Sequence, residues 1–251
     1  MMFYSKNLKK FKGLKHCFFS RKRGFSKGFY KGLNCGRGSN DNKVNINKNL
    51  KYVSTKMKVK RNNLILMHQT HSNRVKEIKK NDLGKKIFSD AMITKINGIA
   101  LGVVTADCVP VLLFDKNNKI AGCIHAGWRG AFSNIIKNTI KKIRKINKNN
   151  DLFACVGPCI GKNSYEVDIN FYKKFVSKSK KNKSYFLQKN KNKKLFNLRK
   201  FVSDKLLDLN IQVDHIKRDT YLDKKNFFSY RRSSKLKQND YGRCISVISL
   251  I

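Results

Sequence analysis

The stretch from Gly98 to Gly130, GIALGVVTADCVPVLLFDKNNKIAGCIHAGWRG, constrains the fold more than any other part of the chain. Its apolar runs predict two buried strands joined by a turn at residues 115–119, followed by the start of a helix. Polar, reactive and aromatic side chains stand among its small residues: Asp107, Cys108, His125, Trp128 and Arg129. Because burial of polar groups is costly unless each has a partner, we expect this stretch to contain the active site.

The composition is that of a folded protein with a substantial core. The chain has 251 residues, of which 40% are apolar and 17 are Phe. Helical and strand patterns alternate without a compositional break or an internal repeat, so we predict a single α+β domain with mixed β-sheets flanked by helices. The domain covers residues 16–251 and follows a basic, frayed segment at residues 1–15. A Lys-rich stretch near residues 177–194 is predicted to be a mobile surface insertion.

Local patterns place the other elements. Apolar spacing predicts helices at residues 40–61, 131–146 and 195–210, and a further helix that starts near Asp168. Strands are predicted at residues 16–20, 63–69, 152–161, 212–216, 227–232 and 244–250, with a polar loop at 76–89. The helix at 131–146 has the clearest amphipathic pattern. Its N-terminus, directly behind HAGWRG, would favour an anion bound near His125 and Arg129.

The net charge of +42 would suit a polyanionic partner such as nucleic acid. Lys far outnumbers Arg, however, and is scattered along the chain together with many Asn and Ile residues. A nucleic-acid reader more often concentrates Arg and aromatic residues in one recognition element. We therefore expect no specific nucleic-acid partner and only weak, non-specific binding at low salt. A basic nucleic-acid-binding protein without catalysis remains an alternative.

Cysteine usage and hydropathy indicate the cellular environment. The seven cysteines form no C-x-x-C pair, and a chain of this length does not need disulfides, so a reducing cytoplasm is predicted. No apolar run is long enough to span a membrane. The N-terminal residues lack the apolar core of a signal peptide.

Three metal-binding residue types lie at or just past the ends of predicted strands: His71, Cys108 and His125. Two imidazoles and a thiolate suit Zn²⁺, and three protein ligands leave a position for water or substrate, as in catalytic zinc sites. A Cys108 nucleophile with a histidine base is an alternative. So is a buried thiol beside two hydrogen-bonded histidines. His68 and His71 would point to opposite sides of an extended strand, so only one of them is expected to face the site.

Four segments carry a resemblance to a known family: FFSRKRGFSKGFYKGLN (18–34), HQTHSNRV (68–75), SDAMITKINGIALGVVTADCVPVLLFDKNNKIAGCIHAGWRG (89–130) and VGPCIGKNSYEV (156–167). The chain resembles the laccase-domain family, called YfiH-like or polyphenol oxidase and now associated with purine nucleoside phosphorylase activity. FFSYRR and YGRCISVISL resemble the last strands of that family. The combination of TADCVPVLL and HAGWRG is the most specific part of the match.

The resemblance implies roles for particular residues. The metal ligands of the family fall on His71, Cys108 and His125, and the metal is usually taken as zinc. Arg21 and Asn34 fall in the loop that borders the nucleoside site, and Arg129 is a further candidate for contact with phosphate. Asp107 is a candidate for a different reason: it lies next to Cys108 in the sequence and could carry a proton or support that ligand, although a buried structural role fits it equally well.

The resemblance also implies the reaction. A zinc-dependent enzyme would cleave adenosine, inosine, guanosine or methylthioadenosine with phosphate to give the base and ribose 1-phosphate, with adenosine deamination as a further activity. A copper phenol oxidase is the alternative in the older family name, but one His–Cys–His set does not supply several coppers. Two residues depart from the family: Arg23 replaces a Gly, which disfavours a positive φ there, and Tyr221 stands where relatives often have Cys. No oligomeric state is predicted.

Overall fold

A computed structural model describes residues 1–251. The strands are β1 Met2–Phe3, β2 Leu14–Phe19, β3 Leu64–His68, β4 Val75–Glu77, β5 Ile87–Phe88, β6 Ala91–Thr94, β7 Ala100–Thr105, β8 Val109–Asp115, β9 Ile120–Ala126, β10 Leu152–Val156, β11 Glu166–Asp168, β12 Phe186–Gln188, β13 Lys193–Phe196, β14 Gln212–His215 and β15 Cys244–Leu250. The helices are α1 Lys43–Met57, α2 Trp128–Phe132, α3 Ile135–Ile146, α4 Ile169–Lys178, α5 Leu198–Leu207 and α6 Tyr230–Lys235.

Two six-stranded sheets form the centre of the molecule. One has the order β1-β2-β15-β7-β3-β5 and the other β14-β10-β8-β9-β6-β4, and β11, β13 and β12 form a small third sheet. Strand β7 pairs antiparallel with β15 but parallel with β3, and β10 pairs parallel with β14 but antiparallel with β8. Both large sheets are therefore mixed, which confirms the predicted α+β class.

The two sheets pack face to face, and helices cover their outer faces. Strand β8 is apolar throughout because it is buried on both faces. Leu112 and Phe114 belong to the core between the sheets, while Val111 and Leu113 face the core beneath α3 and α5. Alternate side chains of a strand point to opposite faces, so a strand buried on both faces is a continuous apolar run. On the opposite side, α1 packs its apolar face on the first sheet.

The predicted long helix at 131–146 is divided in the structure. Helix α2 ends at Phe132, Asn134 adopts a left-handed conformation with φ 72°, and α3 starts at Ile135. Asn is one of the few residues that tolerate this conformation at low cost. The prediction that a long helix starts directly behind HAGWRG is therefore wrong, and the dipole of α3 begins several residues away from His125.

Three further sequence predictions differ from the structure. Residues 1–15 are not frayed, because Leu8 is fully buried and β1 pairs with β2. The Lys-rich stretch ends α4, makes a 3-10 turn and forms β12 and the start of β13, held by the buried ring of Phe186. Residues 227–232 are not a strand, since the Ser229 hydroxyl accepts a hydrogen bond from the Arg232 N–H and starts α6.

Smaller differences concern element boundaries. The predicted loop at 76–89 contains the short strand β5 and the end of β4, and α5 starts at Leu198 because residues 193–196 belong to β13. All seven cysteines are free thiols, and six of them are buried. No helix is both long and apolar enough to cross a bilayer.

Candidate metal centre

Three loop and strand ends bring His71, Cys108 and His125 together. His71 follows β3, Cys108 lies in the connection from β7 to β8, and His125 is near the end of β9. Their candidate ligand atoms all lie within 4.8 Å of one another, and Cys108 Sγ is 3.8 Å from His71 Nε2. The structure therefore assembles the three residues that the sequence predicted. His68 is exposed against the ring of Phe88 and does not belong to the cluster.

Asp90 holds two of the three residues in place. Its carboxylate lies 2.8 Å from His125 Nδ1 and accepts hydrogen bonds from the backbone N–H groups of His71 and Ser72, at 3.0 and 2.7 Å. Asp90 is fully buried, between β5 and β6. Because Nδ1 of His125 is occupied, its Nε2 is left for a metal, an arrangement typical of metal-binding histidines.

Backbone geometry around the cluster depends on two other residues. The side-chain amide of Gln69 donates to the Val104 carbonyl at 2.8 Å and accepts from the Val104 N–H at 3.0 Å, so it extends the pairing of β3 with β7. His71 then turns away with a left-handed φ of 59°. Gly127 lies against the cluster: a methyl group there would come within 2.9 Å of Cys108 Sγ and of His71 Cδ2.

The charges of the cluster are coupled. Burial would raise the pKa of the Cys108 thiol, but His125 and His71 stabilise the thiolate more strongly, and the pKa falls to about 6. Burial lowers the pKa of His125, whereas the Cys108 thiolate and Asp90 raise it, and the result is about 9. Burial also opposes ionisation of Asp90, yet hydrogen bonds from His125 and Ser72 hold its pKa well below the usual range.

These observations fit a bound metal ion. A thiolate already favoured near neutral pH is the form of Cys that binds metals. Two imidazoles and one thiolate form a three-donor set, which leaves further positions for substrate or water. His71 and Cys108 are not fully buried, so the open side of the cluster is accessible. The chain has one such cluster of metal-ligating side chains.

A cavity of about 660 Å³, the metal cavity, opens onto the cluster. This volume lies within the range of small-molecule sites, roughly 300–1,000 Å³. Its wall includes all three cluster residues, four cationic residues and one tyrosine: Arg37, Lys85, Lys86, Arg243 and Tyr241. The Arg243 guanidinium stacks on the Tyr241 ring, 4.3 Å from its centroid. The cavity therefore combines a metal-binding set with an aromatic face and positive charge.

Asn34 does not line this cavity but lies behind its wall and holds two wall residues in place. It is fully buried, and its side-chain oxygen accepts hydrogen bonds from the backbone N–H groups of Gly36 and Arg243, at 3.0 and 2.9 Å. Its amide group donates to Asp41 and Ser39. Asn34 thus fixes two segments that are far apart in the sequence but adjacent in the cavity wall.

Arg21 and Arg23 line a different surface cavity, together with Lys224 and Lys225. The Arg21 guanidinium donates twice to the Lys31 carbonyl and stacks on Phe228. Arg23 has a φ of 63°, so the loop keeps a glycine-like conformation at this position despite the side chain. That conformation costs an ordinary residue roughly 1–2 kcal/mol.

Asp107 and Arg129 are close to the cluster in sequence but do not line the metal cavity. The Asp107 carboxylate accepts hydrogen bonds from Thr220 Oγ1, Ser229 Oγ and the Arg231 N–H, at 2.6–2.9 Å. Burial raises its pKa. Arg129 is exposed and lies over the Trp128 ring. Asp107 therefore ties the Cys108 loop to the C-terminal part of the chain.

Sequence reasoning missed Asp90, Arg37, Arg243 and Tyr241. Asp90 gave one signal, an acid directly before the apolar run of β6, since such a residue needs partners when buried. The other three gave no local signal. Arg37 and Arg243 become neighbours only through the hydrogen bonds of Asn34 and the pairing of β15 with β2 and β7.

Two mixed sheets packed face to face, with a His–Cys–His cluster at the strand ends as a candidate metal site, define a protein of the laccase-domain class. Residues 15–251 match the family described as "Multi-copper polyphenol oxidoreductase laccase". The chain belongs to this family.

Similar proteins from bacteria carry a different name from that of the family. A purine nucleoside phosphorylase of Rickettsia conorii is 35% identical over 209 residues, covering 82% of this chain and 85% of the relative. A purine nucleoside phosphorylase of Haemophilus influenzae is 32% identical over 232 residues, which is 91% of each chain.

Solved structures show the same architecture. A Neisseria meningitidis protein superimposes with a TM-score of 0.84 at 27% identity, over 95% of this chain and 94% of that protein. The YfiH protein of Bacillus licheniformis gives a TM-score of 0.89 at 24% identity, over 95% and 93% of the two chains, which bears on the fold alone.

Proposed function

We propose that the chain is a zinc-dependent purine nucleoside phosphorylase. The observation that carries this proposal is the metal cavity, in which the His–Cys–His cluster, a tyrosine face and four cationic side chains meet. Relatives that are more than 30% identical are named purine nucleoside phosphorylases, and they support the same activity. The substrates proposed are adenosine, inosine, guanosine or methylthioadenosine, together with phosphate.

The residues of the cavity suit the two substrates. In phosphorolysis a phosphate oxygen bonds to C1′ of the ribose while the bond from C1′ to N9 breaks, so negative charge develops on the purine. Arg243 and Arg37 provide the donors that hold a phosphate, and Lys85 and Lys86 add positive charge. Tyr241 offers an aromatic face to the purine.

His71, Cys108 and His125 would hold the metal. Zinc is proposed because a borderline-soft set of two imidazoles and one thiolate suits it. When bound, it supplies a Lewis acid with an open coordination position. Asp90 keeps His125 and the His71 loop oriented for that ion.

The other sequence-derived candidates receive supporting roles in this proposal. Asn34 orders Gly36 and Arg243, and Asp107 fixes the loop that carries Cys108. Arg21 and Arg129 do not line the metal cavity, so we assign the main phosphate contacts to Arg243 and Arg37 and only indirect roles to the other two. A cytoplasmic location is also proposed, and seven free cysteines support it.

Product analysis with and without phosphate tests the proposal. Inosine with phosphate should yield hypoxanthine and ribose 1-phosphate in equal amounts, and omission of phosphate should abolish both. Adenosine separates two activities, because phosphorolysis gives adenine whereas deamination gives inosine. If zinc-loaded protein releases no base from any of the four nucleosides, the proposal is wrong. Oxidation of a phenol by the copper-loaded protein alone would instead favour the activity in the older family name.

A further inference from the structure

A second cavity, the annex cavity, adjoins the metal cavity. Its volume is about 920 Å³, and it shares four wall residues with the metal cavity: Arg37, Leu66, Gly84 and Lys85. Strand β3 runs along both, since residues 64–66 line the annex cavity and residues 66–69 line the metal cavity. Two cationic residues, Arg37 and Lys85, stand at the junction. A ligand at the metal centre could therefore extend into the annex cavity.

The annex cavity carries cations that form no ion pair. Arg61 is partly buried, and its guanidinium makes one long hydrogen bond, 3.5 Å, to the Leu64 carbonyl. Burial and the neighbouring Arg37 both lower the pKa of Arg61. Arg37 forms no ion pair either. Two like charges held near each other without a carboxylate favour a bound anion.

Helix α1 adds two more cations to this cavity. Lys48 and Lys51 line it, and both are exposed and without ion pairs. The one acid in the wall, Asp82, pairs with Lys76 at 2.9 Å and also interacts with Lys85, so it forms no ion pair with Arg37, Arg61 or the two lysines of α1. The annex cavity is thus electrostatically suited to a ligand that carries several negative charges.

The length of β3 limits what can bridge the two cavities. Leu66 and His71 are five residues apart, so they are separated by at most about 17 Å of extended chain. A nucleoside at the metal centre with a phosphate chain on its 5′ oxygen spans a comparable distance. Single inorganic phosphate ions would neutralise part of the annex cavity but would not connect it to the metal centre.

We propose that the annex cavity binds the 5′-phosphate chain of a purine nucleotide whose nucleoside lies at the metal centre. The substrate class of this chain then includes nucleoside 5′-diphosphates and triphosphates as well as free nucleosides. This inference rests on the proposed function, because it places the nucleoside in the metal cavity. Binding measurements nevertheless test it separately from turnover.

Calorimetric titration of the purified protein with inosine and with inosine 5′-diphosphate tests the proposal. The diphosphate should bind at least about tenfold more tightly than inosine, since charge-assisted hydrogen bonds to phosphate are strong. The double variant Lys48→Gln, Lys51→Gln should lose most of this advantage while its affinity for inosine stays unchanged. The advantage should also shrink as salt is added.

A matched control removes the effect of overall charge. Lys141 and Lys145 are exposed on α3, so Lys141→Gln, Lys145→Gln loses the same two charges away from both cavities. This control should keep the full preference for the diphosphate. Equal losses in the two double variants would overturn the proposal, because general attraction to a basic protein would then explain the binding.

Two other results would also overturn it. A preference for the diphosphate that survives Lys48→Gln, Lys51→Gln means that the phosphates bind elsewhere, for example at the metal. If Lys48→Gln, Lys51→Gln raises the KM for inorganic phosphate but leaves the affinity for inosine 5′-diphosphate unchanged, the annex cavity serves free phosphate. Lack of turnover of inosine by the wild-type protein contradicts the proposed function instead, and the binding comparison remains valid.

Discussion

Asp90 organises the candidate metal centre at the residue scale, because its carboxylate contacts the His125 ring and accepts hydrogen bonds from the backbone N–H groups of residues 70–72, which form the His71 turn. Asp90→Asn keeps the shape but loses the negative charge and turns one acceptor into a donor. Since partners of metal-binding histidines typically contribute 10–100-fold to metal affinity, we expect zinc affinity to fall by about that factor. Competition with a chromogenic chelator measures it.

Asp115→Asn is the matched control for this substitution. Asp115 is also fully buried and accepts several hydrogen bonds, but it lies at the far end of β8, at the turn to β9. It should lose stability without losing zinc affinity. Equal zinc affinities of the two variants would show that Asp90 does not act on the metal.

Gly127 lies so close to the candidate ligands that any side chain there should disturb metal binding. Its φ of −67° is accessible to any residue, so Gly127→Ala acts through space alone, and its methyl group would crowd Cys108 Sγ and His71 Cδ2 at 2.9 Å. We expect metal content to fall well below one equivalent while the far-ultraviolet circular dichroism spectrum is unchanged. Gly38→Ala, where a methyl group meets nothing within 4 Å, should retain its metal. Full metal content in Gly127→Ala would contradict the proposed ligand positions.

At the scale of elements, β2 and the segment before it are joined through a buried histidine. His16 is 3% exposed, and its Nε2 accepts a hydrogen bond from the Ser5 N–H at 2.8 Å. Burial lowers the pKa of His16 from 6.5 to about 4, although the Asp214 carboxylate opposes this. The folded protein therefore holds His16 neutral under conditions in which the unfolded chain binds a proton.

This difference in pKa makes the stability of the folded protein depend on pH. The contribution of His16 to the free energy of unfolding is complete above pH 6.5 and declines as the pH falls toward about 4, because the unfolded state binds more protons in this window. The total loss approaches about 3 kcal/mol, at about 1.4 kcal/mol per unit of pKa. In urea denaturation of metal-free protein, the free energy of unfolding should fall more steeply with decreasing pH over this window for wild type than for His16→Gln. Parallel pH profiles would contradict the assignment.

Some strands and helices could be predicted from the sequence and others could not. The apolar runs of β8 and β9 and the turn between them were predictable because both faces of these strands are buried. The sequence predicted one strand before that turn, however, whereas the structure divides it into β7 and β8 at residues 106–108. The amphipathic helix predicted at 131–146 is present as α3 and ends at Ile146 as predicted, but its break from α2 was not predicted, since the break depends on one left-handed residue, Asn134. The segment at 227–232 combined the aromatic content of a strand with a Ser229 cap, and only the tertiary contacts of the buried Phe227 and Phe228 decide between them.

For the whole molecule, the meeting of the three candidate metal ligands was predictable but the rest of the cavity was not. His71, Cys108 and His125 have distinctive chemistry and lie near or just past the ends of strands that meet at one place. Arg37, Tyr241 and Arg243 meet there only because β15 pairs with both β2 and β7, and sequence patterns do not specify such long-range neighbours. The local sequence instead pointed to Arg21 and Arg129, which lie outside the metal cavity.

The central claim is that the His71–Cys108–His125 cluster holds the metal on which phosphorolysis depends. Titration of metal-free protein with Zn²⁺, while hypoxanthine release from inosine and phosphate is followed, tests it most directly. Activity should rise linearly until one equivalent has been added and then stay constant, and Cys108→Ala should show neither tight zinc binding nor activity. Full hypoxanthine release by metal-free wild-type protein, or by Cys108→Ala, would contradict the claim.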